Sequence, residues 1–188
     1  MVLCLGACSP SKGPLPSLVT LPDFRLVDQQ GKTMGLSDLK NRVWVADFIF
    51  TSCAGTCPML TQRMKRVQTA IAEMGEKGSG YHIVSFSVDP ERDTPERLAQ
   101  YAREFETNPE HWSFLTGPLD RVSQTVVQGF KIAMGKVPSE GEVPKDNGVF
   151  EILHGEKFVL VDRNGIIRGY YDSDGAGIAK LIADMKSL

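Results

Sequence analysis

Two cysteines, Cys53 and Cys57, carry the clearest chemistry in the sequence. They directly follow the first strongly apolar stretch of the chain, and Pro58 comes after the second of them. A thiol near a helix N-terminus faces unpaired N–H groups and the positive end of the helix dipole, which favours the thiolate. We expect the helix N-terminus to lower the pKa of Cys57, beside Pro58, more than that of Cys53. Because the thiolate both attacks disulfides and binds soft metals, position alone permits either chemistry.

The spacing of the two cysteines leaves their role open. Three residues separate them, one more than in the motif of thioredoxins, so the loop between them is wider and more adaptable. Two sulfurs on such a loop can bind a metal ion, exchange with a disulfide of another protein, or form a purely structural disulfide. The spacing therefore predicts a thiol site without choosing among these three roles.

A nitrogen ligand for such a site would come from His82, His111 or His154, the three histidines of the sequence. His82 opens a predicted interior strand and His111 lies in a polar connection, so we expect structural roles for both. His154 follows a long polar loop and precedes a predicted hairpin, where the fold can bring it beside the cysteines. From position alone, a structural role is the favoured interpretation of His154.

Two thiolates and one imidazole, if Cys53, Cys57 and His154 converge, suit copper better than other metals. The set is one ligand short of a structural zinc site and two cysteines short of an iron–sulfur cluster. Cu(I) accepts two or three soft ligands, and Cu(II) adds an oxygen from water or a carboxylate. Because a disulfide supplies no thiolate, copper binding would depend on the redox state of the cysteines.

Asp47 is an acid inside the apolar stretch 43–50, six positions before Cys53. An unpaired ionised carboxylate is costly in such a place, so we expect burial to raise the pKa of Asp47. Thioredoxins carry an acid at this offset, where it accepts a proton during thiol–disulfide exchange, and residues 45–48 resemble that pattern. The alternative is a carboxylate that caps a turn or pairs with a buried base.

Hydrophobic patterning places the cysteines between a buried strand and a helix. Residues 43–50 are almost continuously apolar, which predicts a strand buried on both faces. A helix with Pro58 at its first position is predicted after Cys57, because five apolar residues follow at helical spacing. These residues are Leu60, Met64, Val67, Ile71 and Met74.

The other predicted elements alternate between strands and helices behind an N-terminal β-hairpin. Their order indicates an α/β protein with a thioredoxin-like fold, in which a central mixed β-sheet is flanked by helices. Asn164-Gly165 marks a second hairpin, and residues 135–148 form a long polar loop. The predicted strands are 81–88, 112–115, 157–161 and 166–171, and the predicted helices are 94–105, 119–130 and 178–185.

Composition excludes several classes of protein. The 188 residues are 41% hydrophobic and 23% charged, which is typical of one globular domain and not of a disordered chain. The net charge is −2 and no run of Lys or Arg is present, so nucleic-acid binding has no electrostatic support. No apolar stretch is long enough for a membrane-spanning helix, so any membrane link would be an anchor.

The N-terminus carries a possible anchor. Residues 5–8, Leu-Gly-Ala-Cys, resemble the lipobox of bacterial lipoproteins, in which the cysteine becomes lipid-modified. We therefore expect residues 1–20 to be a signal remnant and lipoprotein-type tether, and residues 21–188 to be the folded domain. The protein would then be extracytoplasmic, in the bacterial periplasm or on the outer face of the cytoplasmic membrane, anchored through Cys8. A plain flexible N-terminus is the alternative.

Four segments of the chain form a recognisable set. They are residues 48–58 with the two cysteines and Pro58, residues 87–95 with the sequence SVDPERDTP, residues 115–117, and His154 ahead of residues 158–162. The set resembles the SCO/SenC family, thioredoxin-fold proteins of the mitochondrial inner membrane and the bacterial cell envelope. In that family two cysteines and a distal histidine bind copper, so the resemblance implies Cys53, Cys57 and His154 as ligands. Leu153 departs from the family, because many members have Asp directly before the histidine.

The resemblance implies a copper chaperone that delivers copper to the dinuclear copper site of cytochrome c oxidase. Cu(I), Cu(II) or both would be bound, and the partner would be subunit II of the oxidase or another periplasmic copper chaperone. The alternative is a thiol–disulfide reductase that acts on the cysteines of the oxidase or of a copper chaperone through Cys53, Cys57 and Asp47. A peroxiredoxin fits less well, since its motif requires Pro and Thr where Phe50 and Ala54 stand.

Overall fold

The computed structural model describes residues 13–53, 55–134 and 156–188. In these ranges eight strands form one mixed sheet in the order β1-β8-β7-β4-β5-β6-β2-β3. The strands are β1 Val19–Thr20, β2 Arg25–Asp28, β3 Thr33–Gly35, β4 Val43–Ile49, β5 Tyr81–Ser87, β6 Trp112–Thr116, β7 Lys157–Val161 and β8 Ile166–Asp172. The helices are α1 Thr56–Ala72, α2 Pro95–Glu104, α3 Leu119–Ser123 and α4 Gly175–Met185.

Parallel pairing at the centre of the sheet brings the carboxyl ends of β4 and β5 together. β4 pairs in parallel with β5, and β5 with β6, whereas β7 and β8 join as an antiparallel hairpin. β2 and β3 form the predicted N-terminal hairpin. Because the strands β4 and β5 run in the same direction, the loops that follow them lie at one edge of the sheet, where the cysteines also lie.

The alternation of side chains along β4 divides the core into two layers. Val45 and Ile49 are fully buried on the face that packs against α1 and α4. Trp44 and Phe48 face the other way, into an aromatic cluster with Phe86. Successive residues of a strand point to opposite faces, so Asp47 shares the face of Val45 and Ile49 and lies on the α1 side of the sheet.

Helix α1 confirms the predicted apolar stripe but begins earlier than predicted. Four of the stripe residues are fully buried against the sheet, namely Leu60, Met64, Val67 and Ile71. The helix starts at Thr56, so the prediction that it starts after Cys57 with Pro58 in first place was wrong. Pro58 is the third helical residue, and the first-turn N–H that it lacks would have no partner within the helix in any case.

Other elements agree with the predictions except in three places, one of which is α4: it begins at Gly175, three residues before its predicted start. The predicted helix 119–130 divides into α3 and a π-helical turn, Gln124–Gly129, and the strand Val19–Thr20 had no sequence signal. This short strand adds to the sheet edge at β8. The predicted polar loop 135–148 lies outside the described residues. No helix within the described ranges is long and apolar enough to span a membrane.

Candidate thiol and metal site

The two thiols meet at the junction between β4 and α1. After β4 the chain turns, and the Cys53 N–H donates to the Phe50 carbonyl over 3.2 Å. The first turn of α1 then brings the Cys57 N–H to 3.3 Å from the Cys53 sulfur. Both cysteines are free thiols; Cys53 is half-buried and Cys57 is buried. The predicted pair therefore forms one site, with Cys53 on its accessible side.

The two thiols have opposite pKa shifts. Partial burial acts to raise the pKa of Cys53, but backbone hydrogen bonds from Cys57, Gly55 and Thr56 and one from the Cys57 thiol outweigh it, so the pKa is lowered. Burial raises the pKa of Cys57 to about 12, and the neighbouring charges of Cys53 and Asp47 act in the same direction. The expectation that Cys57 gains most from the helix N-terminus was wrong, because the free N–H groups point at Cys53.

Asp47 is completely buried and only half satisfied by hydrogen bonds. Ser85 Oγ donates to its Oδ1 over 2.5 Å, and Trp112 Nε1 donates to the same Ser85 Oγ over 2.9 Å. Oδ2 has no hydrogen-bond partner among the described residues. Burial, opposed in part by the Ser85 bond, raises the pKa of Asp47 to about 7, in the direction expected from the sequence.

Tyr101 is a buried neighbour of the thiols that the sequence analysis did not single out. Its hydroxyl lies 2.8 Å from Thr61 Oγ1 of α1. Burial raises its pKa far above the usual range, and the charges of Asp47 and the two thiols add to this effect. Tyr101 is therefore neutral and contributes a hydroxyl dipole to the site. Its helical spacing on α2 marked it only as a core residue.

Asp93 is a second completely buried carboxylate beside the site. Thr51 donates to it through both its backbone N–H and its hydroxyl, and Ser87 donates through its hydroxyl. Thr94, the next residue, caps α2 by accepting from the Arg97 N–H. The role of Asp93 was missed, because an acid directly before a helix cap is usually exposed.

Of the three histidines, His82 has the structural role expected from its position. His82 is buried, with Nε2 at 2.9 Å from Ser113 Oγ, and burial together with the charges of Arg42 and His111 lowers its pKa to about 3. Its role is structural. His154 lies outside the described residues, as does Cys8, and within the described ranges no group of three or more His, Cys, Asp and Glu side chains is placed to hold a metal. Assignment of His154 as a ligand stays a prediction.

Comparison with known proteins assigns the chain to a family. The family model for SCO1/SenC matches residues 15–188, so this protein belongs to the SCO1/SenC family. The SCO1 protein homolog of Bacillus subtilis is 32% identical over 186 residues, which cover 98% of this chain and 91% of that protein.

Solved structures confirm the fold. A SCO1/SenC family lipoprotein from Bacillus anthracis is 34% identical with a TM-score of 0.74, over 90% of this chain and 95% of that one. BsSco, a member of the Sco family of cytochrome c oxidase assembly proteins with an identified disulfide switch, is 31% identical with a TM-score of 0.74, over 95% and 97%. The predicted thioredoxin-like fold is correct.

A copper-bound relative is among the similar structures. Bradyrhizobium japonicum ScoI with copper bound is 25% identical, with a TM-score of 0.70 over 90% of this chain and 99% of that chain. Copper-binding proteins therefore occur in the family to which this chain belongs. The soft sulfur donors of Cys53 and Cys57 fit copper by their chemistry.

Proposed function

We propose that this protein is a copper chaperone that binds copper through Cys53, Cys57 and His154 and delivers it to the dinuclear copper site of cytochrome c oxidase. The observation that carries the proposal is the pairing of the two thiols at the first turn of α1, where the Cys57 N–H donates to the Cys53 sulfur. Donors that already lie together need little ordering when they bind a metal. The copper-bound ScoI relative supports the choice of metal.

The electrostatics of the pair favour a soft monovalent cargo. Cys53 is held toward the thiolate, whereas Cys57 stays protonated at neutral pH because it is buried. Binding of Cu(I) displaces the Cys57 proton, since metal-bound thiols are deprotonated. His154 would supply a neutral imidazole as the third ligand. Transfer to the acceptor would then proceed by exchange of these ligands one at a time.

Location and partner follow from the same proposal. Cys8 would carry a lipid, and the residues after it would be a tether that ends before Leu15. The boundary expected at residue 20 lies too late, because β1 pairs with β8 and Arg168 donates to the carbonyls of Leu15 and Pro16. Residues 15–20 therefore belong to the folded domain, which would lie outside the cytoplasm. The Bacillus anthracis relative is itself described as a lipoprotein, which supports this arrangement. Subunit II of the oxidase, or a second periplasmic copper chaperone, would be the partner.

An anaerobic Cu(I) titration tests the proposal. The fully reduced protein competes with a chromophoric Cu(I) chelator, and the variants Cys53→Ser, Cys57→Ser and His154→Ala are compared with the parent. We expect one tight equivalent of Cu(I) in the parent and a weaker one in each variant. His111→Ala is the matched control, because His111 is partly exposed and lies outside the site, so it should bind like the parent. A Cu(I) affinity that is unchanged in His154→Ala would rule out the three-ligand site.

A second function, reduction of disulfides, is favoured by the raised pKa of Asp47. The Cys53 thiolate would attack a target disulfide and form a mixed disulfide, releasing one target thiol. Cys57 would then lose its proton to the Asp47 carboxylate and attack the Cys53 sulfur, which releases the second target thiol. The target gains two electrons, and this protein ends with a Cys53–Cys57 disulfide. Its half-buried position and lowered pKa make Cys53 the attacking thiol.

A further inference from the structure

Asp93 connects the turn that carries Cys53 to two other elements of the fold. Thr51, two residues before Cys53, donates its N–H to Asp93 over 3.2 Å and its hydroxyl over 2.5 Å. Ser87, the last residue of β5, donates its hydroxyl to the other carboxylate oxygen over 2.6 Å. Asp93 itself directly precedes the cap of α2. One side chain thus joins the ends of two strands to the start of a helix.

The two hydroxyls in this cluster each accept one hydrogen bond and donate another. Thr51 Oγ1 accepts from Arg97 Nε over 2.8 Å, and Ser87 Oγ accepts from the Asp89 N–H over 3.1 Å. Each hydroxyl is therefore oriented with its proton toward Asp93. Bonds to an ionised carboxylate are about twice as strong as neutral ones, and they are stronger still when water is excluded. This arrangement holds the Thr51 turn in one conformation.

The same turn fixes the position of the Cys53 sulfur. Cys53 N–H donates back to Phe50, and the sulfur accepts from Cys57, so movement at Thr51 would change both contacts. Ser52, between Thr51 and Cys53, is exposed and contributes no packing of its own. The anchor for the turn is therefore the buried cluster around Asp93.

We propose that Asp93 is the positioning residue of the copper site: it holds the Thr51 turn so that Cys53 is presented to the metal beside Cys57. The proposal deepens the proposed copper-chaperone function and rests on it for the identity of the cargo. Asp93 touches neither thiol and acts only through Thr51. Residues that orient metal ligands in this way usually change affinity by about 10- to 100-fold when they are replaced.

Replacement of each end of the Asp93–Thr51 contact tests the proposal. Asp93→Asn removes the charge and one acceptor oxygen, and Thr51→Val removes the hydroxyl at nearly constant shape. Thr51→Ser keeps the hydroxyl and serves as the conservative rescue. We expect Asp93→Asn and Thr51→Val to weaken Cu(I) binding about 10- to 100-fold in the chelator competition, and Thr51→Ser to bind like the parent.

Asp162 offers a matched control elsewhere in the sheet. It is also buried, and it holds the β7–β8 turn by accepting from the N–H groups of Asn164 and Ile166 and from Arg168. Pairing of Trp44 with Val161 places Asp162 beside the start of β4, at the opposite end from Cys53. Asp162→Asn should lower stability while leaving Cu(I) affinity within about twofold of the parent.

Amide hydrogen exchange of the reduced, copper-free protein provides a second measurement that does not involve copper. Exchange at Thr51 and Cys53 should accelerate about tenfold or more in Asp93→Asn, relative to core amides of the same protein, and not in Asp162→Asn. If Asp93→Asn affects copper affinity no more than Asp162→Asn does, or if Thr51→Ser binds as poorly as Thr51→Val, the positioning role is wrong. A parent protein that binds no Cu(I) overturns the proposed function, and the exchange rates then decide alone whether Asp93 holds Cys53.

Discussion

Asp47 and Asp93 are two completely buried carboxylates near the same cysteine loop, and their surroundings differ. Asp93 accepts from one N–H and two hydroxyls, which engage both of its oxygens. Asp47 accepts one hydroxyl bond, from Ser85, and its second oxygen has no hydrogen-bond partner among the described residues. The number of donors that reach each carboxylate therefore distinguishes two sites that look alike by burial.

The difference indicates what each acid does. A buried carboxylate with donors on both of its oxygens holds in place the groups that donate to it. A buried carboxylate with too few donors takes up a proton near neutral pH, as Asp47 does with its pKa of about 7. We therefore infer that Asp93 positions Cys53 and that Asp47 accepts the proton of Cys57. Four experiments test this difference between the two acids.

The largest effect is expected from truncation of the two acids. Asp93→Ala should lower the free energy of unfolding by about 4 kcal/mol, because three donors, two on half-buried Thr51 and one on buried Ser87, lose their acceptor. Asp47→Ala should cost about 1 kcal/mol or less at pH 8, since it also removes a poorly solvated charge. Urea unfolding at that pH measures both. Equal costs for the two variants would contradict the comparison.

Two buried groups, Asp47 and His82, should dominate the pH dependence of stability, and they act in opposite directions. The pKa of Asp47 rises from 3.8 to about 7 on folding, so the folded state binds the proton more tightly. Its favourable contribution is complete below about pH 4 and is lost as the pH rises to about 7, which amounts to roughly 4 kcal/mol. His82, whose pKa falls to about 3 on folding, adds stability as the pH rises from 4 to 6.5, so the measurement is the difference between the parent and Asp47→Asn. In urea unfolding from pH 4 to pH 8, the free energy of unfolding of the parent should fall by roughly 4 kcal/mol relative to that of Asp47→Asn. A difference between the two proteins that does not change with pH would mean that Asp47 does not take up a proton on folding.

The hydroxyl of Thr51 should account for part of the Asp93 effect. Thr51→Val should lower the free energy of unfolding by about 2 kcal/mol, the usual cost of losing a hydrogen bond to a buried charge. Thr51→Ser should stay within about 0.5 kcal/mol of the parent, because the hydroxyl remains. Thermal and urea unfolding at pH 7 give the two values. A large loss in Thr51→Ser would mean that the methyl group, and not the hydroxyl, supports the turn.

The smallest effect is expected on the chemistry of the thiols. With a chromogenic aromatic disulfide, attack by Cys53 releases one coloured thiol, and the following attack by Cys57 releases a second. Asp47→Asn should slow the second release about tenfold at pH 7 and leave the first unchanged, because only Cys57 needs a base. Stopped-flow absorbance separates the two phases, and Asp162→Asn is the control. A slower first phase would place Asp47 in control of Cys53 instead.

Much of the framework was predictable from the sequence. The strand around Asp47, the apolar stripe of α1, helix α2 and the turn at Asn164 depend on neighbours within a few positions, so local pattern identifies them. The pairing of Cys53 with Cys57 was predictable for the same reason. The strand Val19–Thr20 was not, because its two residues are ordered by pairing with β8, far along the chain.

The sequence by itself determined which residue types stand at the site: two thiols at a strand–helix junction and an acid inside the strand before them. Only the tertiary structure decided which thiol is stabilised as thiolate and which acid has hydrogen-bond donors for both of its oxygens. Both depend on the direction of a few N–H and O–H groups and on exclusion of water. The hydroxyl of Thr51 reaches Asp93 across 42 positions of sequence, and that of Ser85 reaches Asp47 across 38. Contacts of that kind exist only once the sheet has formed.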